Sequence, residues 1–479
     1  MTASSRQVFP TLGRLGPPAI GIAIALGIAA RLFLLFARPL WHDEIFTLTL
    51  ARKPLAELLA LLRIDSGPPL HYLAAKLLLF SPTPSSWDLA VRALSTAASL
   101  AHLPLLVLVG RRLGAPRAGA VAAALFALFP LAIEYAAEGR AYALASLLTL
   151  LALERALAVR QGAGHGAAAA LSLSAAAAAL THYLAAFPLL GLAALLQGCP
   201  PAARRRLLAA GLGAGVLVLP WALIALRQPT ASMDWTRDAP AQRPATRFAL
   251  DLASGADVEG PALLPLMALA LAGLAVALRS ARRGPAAPLA AAFLLGLAAL
   301  LLAQALTGRL LLPERTALVF LPLTALLLAS GPLVLPLASA ALSLAVLLAR
   351  LPMATVPSPT TVIAQLLLPR LARERLVAVG TFALELDYRC QRAGLRERVV
   401  PFPSEAAAHP GWYREPEGAL PRYRDEARAL VGSLRAPTLF LLPHGLAAAA
   451  ALEEAVAPLR PAPVLVTPFL HVVAAGRRE

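Results

Sequence analysis

The chain has 479 residues, 59% of them hydrophobic and only 14% charged, and a mean hydropathy of +0.70. An ordinary soluble fold could not bury so much apolar surface, so the chain falls among multi-pass membrane proteins. The net charge of +17 does not point to nucleic acid, because the arginines recur in loops between apolar runs, where they read as topology.

A spanning helix takes roughly 20 apolar residues. Eleven candidates follow one another, near 17–37, 90–109, 118–134, 141–158, 167–180, 184–198, 207–226, 261–278, 286–306, 316–331 and 333–349. Arg6 and Arg14 precede the first. Arg111, Arg112 and Arg117 follow the second, Arg155 and Arg160 the fourth, Arg204, Arg205 and Arg206 the sixth, and Arg279, Arg282 and Arg283 the eighth. With this count every basic cluster lies on one side, cytoplasmic by the positive-inside rule, with the N-terminus inside and the C-terminus outside. The first span lacks a small-residue cleavage site and reads as an uncleaved anchor. Arg31, near its outer end, is expected to snorkel, and His102, inside the second span, to be a hydrogen-bonded core residue. Cys199 and Cys390 are expected on opposite sides of the membrane, with no disulfide between them.

The external loops collect the chemistry. The first, about 38–88, opens on Trp41-His42-Asp43-Glu44 and continues through a weakly amphipathic stretch around 45–62. Pro68-Pro69 then open an apolar stretch of about a dozen residues carrying His71 and Tyr72, predicted to be a helix lying in the membrane interface. The second loop runs from Glu134 through Glu138 and Arg140 to Tyr142, and the third is centred on Thr181-His182-Tyr183. The fourth, about 227–260, holds Asp234, Trp235, Arg237, Asp238, Arg243 and Arg247; the fifth runs from Thr307 to Arg315 and contains Arg309.

Residues 1–350 therefore read as an all-α polytopic membrane domain and 351–369 as a Pro-rich linker. Residues 370–479 read as a small α/β domain outside the membrane. In it, short β-rich runs at 377–380, 399–402, 438–442, 463–467 and 470–474 alternate with helical patterns near 383–394, 421–434 and 446–458, without a Gly-rich phosphate loop or metal-ligand spacing.

Taken in order, these pieces resemble a family: the Asp43-Glu44 pair after the first span, Pro-Pro-Leu-His-Tyr at 68–72, Ala-Val-Arg-Ala-Leu at 90–94, Gly-Arg-Arg-Leu-Gly at 110–114, Glu-Gly-Arg-Ala-Tyr-Ala-Leu at 138–144 and Thr-His-Tyr at 181–183. Over about residues 17–330 the pattern is similar to the bacterial membrane glycosyltransferases of the GT-C class, in the style of the protein O-mannosyltransferase and lipid A aminoarabinose transferase (ArnT-like) families. The resemblance implies the GT-C fold with interfacial helices, in the bacterial cytoplasmic membrane. It also implies transfer of a sugar from a polyprenyl-phosphate donor to an acceptor hydroxyl at the outer face, with inversion, the acceptor being a protein, a lipid or a glycan.

By the same pattern Asp43 is the candidate base, and Glu44 and Glu138 orient hydroxyls. Asp43 and Glu138 would hold a divalent metal if one is used, which is left open. Arg140, Arg309 and Arg315 are the candidates for the donor phosphate, and His42, His71, Tyr72, Tyr142, His182 and Tyr183 for the substrate. Two departures stand out. Gly139 replaces the usual Ala, a change expected to matter little, and Leu310 replaces the Tyr of Arg-Tyr-Leu-Leu-Pro, which leaves the choice between Arg309 and Arg315 open.

Each feature also has a plainer reading. The acidic pair could be solvated interface charge, Glu138 and Arg140 a surface ion pair, His71, Tyr72, His182 and Tyr183 parts of an aromatic belt, and Arg309 and Arg315 span anchors. The rival functions are a polyprenyl-lipid transporter or flippase, which would place ionisable groups near the bilayer midplane, and an inactive lipid-binding scaffold.

Overall fold

The computed structural model describes residues 16–475 apart from 66, 80–85, 230–235, 237–244, 258–263, 283, 285, 310, 312, 408–414 and 435. The chain divides into two compact units. One takes in the residues up to Arg38, Pro54–Leu78 and Leu89–Thr355; the other takes Pro39–Lys53, Leu79–Asp88 and Val356 onward. The stretch read from the sequence as the first external loop is thus shared between them.

In chain order the helices begin α1 (Pro17–Ala37), α2 (His42–Arg52), α3 (Leu55–Ile64), α4 (Leu70–Leu78), α5 (Trp87–Arg112), α6 (Pro116–Leu128) and α7 (Pro130–Glu134). They continue with α8 (Tyr142–Arg160), α9 (His165–Thr181), α10 (Ala186–Gly191) and α11 (Pro201–Ala225). Among the described residues α1, α5, α8, α11 and the helix Ala287–Thr307 are long and apolar enough to cross a membrane; two bent helix pairs raise the number from five to seven. The chain is a multi-pass membrane protein by this measure, which does not establish eleven spans. The reason is physical: several apolar runs are broken or too short. The run 118–134 bends by 67° between α6 and α7, and the run 316–331 contains the nine-residue helix Leu321–Ala329, every residue of which is buried.

The bend at Pro130 sets the surroundings of Arg31. Proline has no N–H to give the Phe126 carbonyl one turn back, and the Leu131 N–H bonds Gly255 O (2.9 Å) instead of Ala127 O. Two carbonyls in the interior of a membrane unit are thereby freed, an expensive state. Arg31 answers both: Nη2 donates to Phe126 O (3.1 Å) and Nη1 to Ala127 O (2.6 Å), while Nε donates to Ser99 Oγ (2.9 Å). Arg31 is fully buried, so it does not snorkel. It caps a broken helix across the interface with α1, where a Cβ on Gly27 would lie 2.2 Å from Ala127 O, the close approach that small residues permit. His102 is a core residue as expected, bonded to Ala98 O (2.8 Å) and Ser146 Oγ (3.0 Å).

The second unit is built on a five-stranded sheet in the order β2-β1-β3-β5-β4, with β1 (Arg375–Val379), β2 (Val399–Phe402), β3 (Thr438–Pro443), β4 (Ala462–Val466) and β5 (Leu470–Ala475). β1 runs parallel to β2 and β3, and β5 antiparallel to β3 and β4. All six residues of the central strand β3 are buried, as an unbroken apolar run covered on both faces requires. Helices Phe382–Arg392, Leu420–Ser433 and Ala447–Val456 lie where the periodicity predicts, and Pro359–Leu371, within the Pro-rich stretch, is also helical. α2 belongs to this unit: Arg389 Nη2 donates to Leu40 O (2.8 Å) at its entrance. Cys199 and Cys390 are free thiols.

Candidate functional site

The segment after the bend carries most of the candidate residues. α7 passes into the short 3-10 turn Tyr135–Ala137, and α8 starts at Tyr142. Between them the loop is pinned to α5: Thr96 Oγ1 donates to Ala136 O (2.8 Å) and Ser95 Oγ to Arg140 O (3.0 Å). The Arg140 N–H closes on Glu138 O (2.7 Å), and Glu138 is buried. A Cβ on Gly139 would lie 2.8 Å from Val91 Cγ2 and 3.0 Å from Val91 O. The glycine is therefore not an indifferent replacement for alanine, contrary to the sequence expectation: it lets this loop sit directly on α5.

Two histidines flank the loop, and both are uncharged at neutral pH. His71 Nε2–H donates to Gly139 O (3.3 Å), which leaves Nδ1 as a bare acceptor. That atom is buried and has no hydrogen-bond partner among the described residues. Burial, reinforced by Arg140 and opposed by the Gly139 bond, lowers the His71 pKa to about 4. His182 Nδ1 accepts from the Leu184 N–H (3.2 Å), so the neutral ring carries its proton on Nε2. Its pKa is lowered to about 3 by burial and then by Arg140, Arg315 and His71.

Arg140 and Arg315 complete the cluster from different segments. Arg140 Nη1 donates to Tyr72 Oη and Arg315 Nη1 to Tyr142 Oη, each a long 3.4 Å bond. The Tyr142 ring packs edge-on against Tyr135 (5.2 Å between centroids) and tilted against His182 (5.1 Å), and Tyr135 Oη donates to Glu314 Oε1 (3.2 Å). Burial works to lower the Arg315 pKa, but Tyr142, Tyr135 and Glu314 outweigh it and hold the guanidinium charged. The first unit thus brings together His71, Tyr72, Glu138, Arg140, Tyr142, His182 and Arg315. Tyr135 and Glu314 join them without having been singled out; each lies within three residues of a nominated residue, but Tyr and Glu in such loops are too common to mark.

Other candidates have different surroundings. Arg309 donates to Thr236 Oγ1 (3.4 Å), a residue that follows α11 in the chain and is not part of the cluster. Tyr183 is a brace: its hydroxyl accepts from Trp221 Nε1 (2.9 Å) and donates to Gln228 Oε1 (2.9 Å), and Gln228 Nε2 holds Leu62 O (2.7 Å). Arg247 pairs with Asp251 (3.4 Å) and Asp257 (3.0 Å), whereas Asp234, Trp235, Arg237, Asp238 and Arg243 lie outside the described residues.

His42, Asp43 and Glu44 form the first turn of α2, in the second unit. Glu44 is fully buried and one carboxylate oxygen takes the Trp41 N–H (3.3 Å), the reciprocal half of a capping box. Asp43 is only partly buried. Asp43 and Glu138, the pair named for a metal, belong to different units, and among the described residues no three His, Cys, Asp or Glu side chains converge as a metal set.

No family model and no curated protein matches the chain. Solved structures do: ArnT from Cupriavidus metallidurans, bound to undecaprenyl phosphate, superposes with a TM-score of 0.60 at 16% identity, covering 96% of this chain and 99% of that one. The oligosaccharyltransferase of Archaeoglobus fulgidus, in the apo form, gives 0.53 at 12% identity, covering 88% and 69%. The fold is that of these membrane glycosyltransferases and resembles ArnT over nearly its whole length.

Proposed function

We propose that the chain is a glycosyltransferase that moves a sugar from a polyprenyl-phosphate donor to an acceptor hydroxyl at the outer face of a bacterial cytoplasmic membrane, with inversion and with its C-terminal domain outside. The observation that carries this reading is the convergence of Arg140 and Arg315 with two uncharged histidines in one largely buried cluster of a chain with the ArnT fold.

Each group has a task the reaction needs. As the sugar–phosphate bond breaks, charge accumulates on the lipid phosphate, and a guanidinium can meet two of its oxygens at once. Arg315, held charged, is assigned that role with Arg140 beside it. A neutral His182 offers an Nε2–H, and His71 Nδ1 offers a buried acceptor that a sugar hydroxyl would satisfy; an unpaired acceptor of this kind is costly to leave empty. Burial of the cluster limits water, which would otherwise hydrolyse the donor. Asp43 is assigned the acceptor proton on the family pattern and in preference to Glu44, whose carboxylate caps α2. Glu138 is assigned to orient hydroxyls. Arg309 and Tyr183 are given no contact with the donor.

The test is a donor screen on purified protein in lipid nanodiscs, with mannosyl-, glucosyl- and aminoarabinosyl-phosphate polyprenols and mixed membrane acceptors. Release of free polyprenyl phosphate by wild type is expected to fall about 100-fold or more in Asp43→Asn. Donors that bind but stay intact with wild type would turn the reading to a transporter or a scaffold.

A further inference from the structure

The second unit contains a cleft of about 810 Å³ that the transfer chemistry does not use, a size that takes a small ligand whole. Three consecutive residues of β2, Val399, Val400 and Pro401, line it. Successive strand residues point to opposite faces, so the cleft runs along an edge, and β2 is the outermost strand of the sheet. Its free edge offers main-chain hydrogen-bonding groups.

The charges in this cleft are unbalanced. Arg52, Lys53, Arg375 and Arg396 line it against two carboxylates, Asp387 and Glu397. The Arg52 guanidinium lies over the Trp87 ring, 3.7 Å from its centroid, which fixes its plane. One of its N–H groups goes to Gln391 Oε1 (3.1 Å), and Gln391 Nε2 goes on to Asp387 Oδ2 (2.6 Å). Burial lowers the Arg52 pKa, Asp387 opposes that, and Arg396 adds to it, the mark of like charges held close. Burial also raises the Asp387 pKa, which weakens the nearest compensating charge. Among the described residues neither Arg375 nor Arg396 makes a side-chain hydrogen bond or an ion pair. Glu397, beside Arg396, sits at φ +55°, a left-handed conformation that is strained for a residue with a Cβ and that gathers at ligand sites.

We infer that this cleft binds an anionic saccharide, a sugar carrying a carboxylate or a phosphate. The arginines call for an oxyanion. A bare anion would meet Asp387 and Glu397 unfavourably, whereas a ligand that also carries hydroxyls can donate to them and to the β2 edge. This occupancy does not depend on the transfer reaction, since none of the cleft residues belongs to the cluster of the first unit.

The test is calorimetric titration of full-length protein in nanodiscs with glucuronic acid, glucose 6-phosphate, glucose and sodium sulfate. At least one of the two charged sugars is expected to bind, glucose to bind at least tenfold more weakly, and raised salt to weaken the charged sugar. Comparing the two charged sugars tells carboxylate from phosphate. The double variant Arg375→Gln, Arg396→Gln should lose affinity about tenfold or more, while Arg428→Gln, an exposed arginine elsewhere in the unit, should not; an unchanged melting temperature shows that the variants remain folded. Equal binding by the double variant, equal binding of glucose, displacement by sulfate at the same concentration as the charged sugar, or no binding below about 10 mM would each overturn the inference.

Discussion

The largely buried cluster of the first unit and the cleft of the second both gather arginines, but they use them differently. In the first unit three of them have destinations within the protein: Arg31 on the carbonyls freed at Pro130, Arg140 on Tyr72, Arg315 on Tyr142. In the cleft, Arg375 and Arg396 are at the surface, while Arg52 is held by Trp87 and Gln391. The difference follows from solvent. Where water is absent a polar group must be answered by protein, and the fold depends on the answer; where water is present a charge can wait for a ligand.

Substitutions should divide along that line. Arg31→Leu strips the cap from the bend and leaves two buried carbonyls unanswered, so a loss of about 3 to 5 kcal/mol is expected in reversible unfolding from lipid. A loss under about 1 kcal/mol would show that the bend does not need its arginine.

Acid should act next. The pKa values of His71 and His182 fall from 6.5 to about 4 and about 3 on folding. The unfolded chain therefore takes up protons below pH 6.5 that the folded one refuses. Stability from these two groups is complete above about pH 6.5 and declines as the pH falls, by about 3 kcal/mol between pH 6.5 and 5. Thermal melts across that range should show the decline, and His71→Gln should make it shallower; equal slopes would mean that the histidines do not set it.

Tyr183→Phe removes one hydroxyl from a brace and should cost about 1 kcal/mol with donor turnover nearly unchanged. A large fall in turnover at full stability would move Tyr183 into the reacting site. Arg396→Gln in the cleft should lie within about 0.5 kcal/mol of wild type, the smallest effect of the set, and a clear destabilisation would mean that this arginine is structural after all.

Legibility from residues alone divides the same way. The sheet was legible because β-rich runs such as Thr438–Pro443 are bounded by turns, and the helices between them by periodicity. The Glu138-Gly139-Arg140 loop and His182 were nominated by pattern, and the structure brings them together in the first unit. Periodicity could not show the 67° bend, since a Pro inside an apolar run is compatible with a kinked span as well as a broken one. With the bend hidden, the partner of Arg31 was hidden too, and a residue that caps carbonyls on α6 read as one reaching for the membrane surface. Gly139 was misjudged for the same reason: its constraint is Val91, far away in sequence. The identity of the phosphate arginine was open because Arg309 and Arg315 are chemically alike, and only their neighbours separate them.

The assignment of the donor phosphate rests on that separation. The direct measurement is binding of polyprenyl phosphate to Arg315→Gln and Arg309→Gln side by side in nanodiscs, with turnover of the donor that the screen identifies. Arg315→Gln is expected to weaken binding of the lipid phosphate and slow turnover by about 100-fold, while Arg309→Gln stays within about threefold of wild type. The reverse order, or equal losses in both, would contradict the assignment and place the phosphate away from the Arg140 and Arg315 cluster.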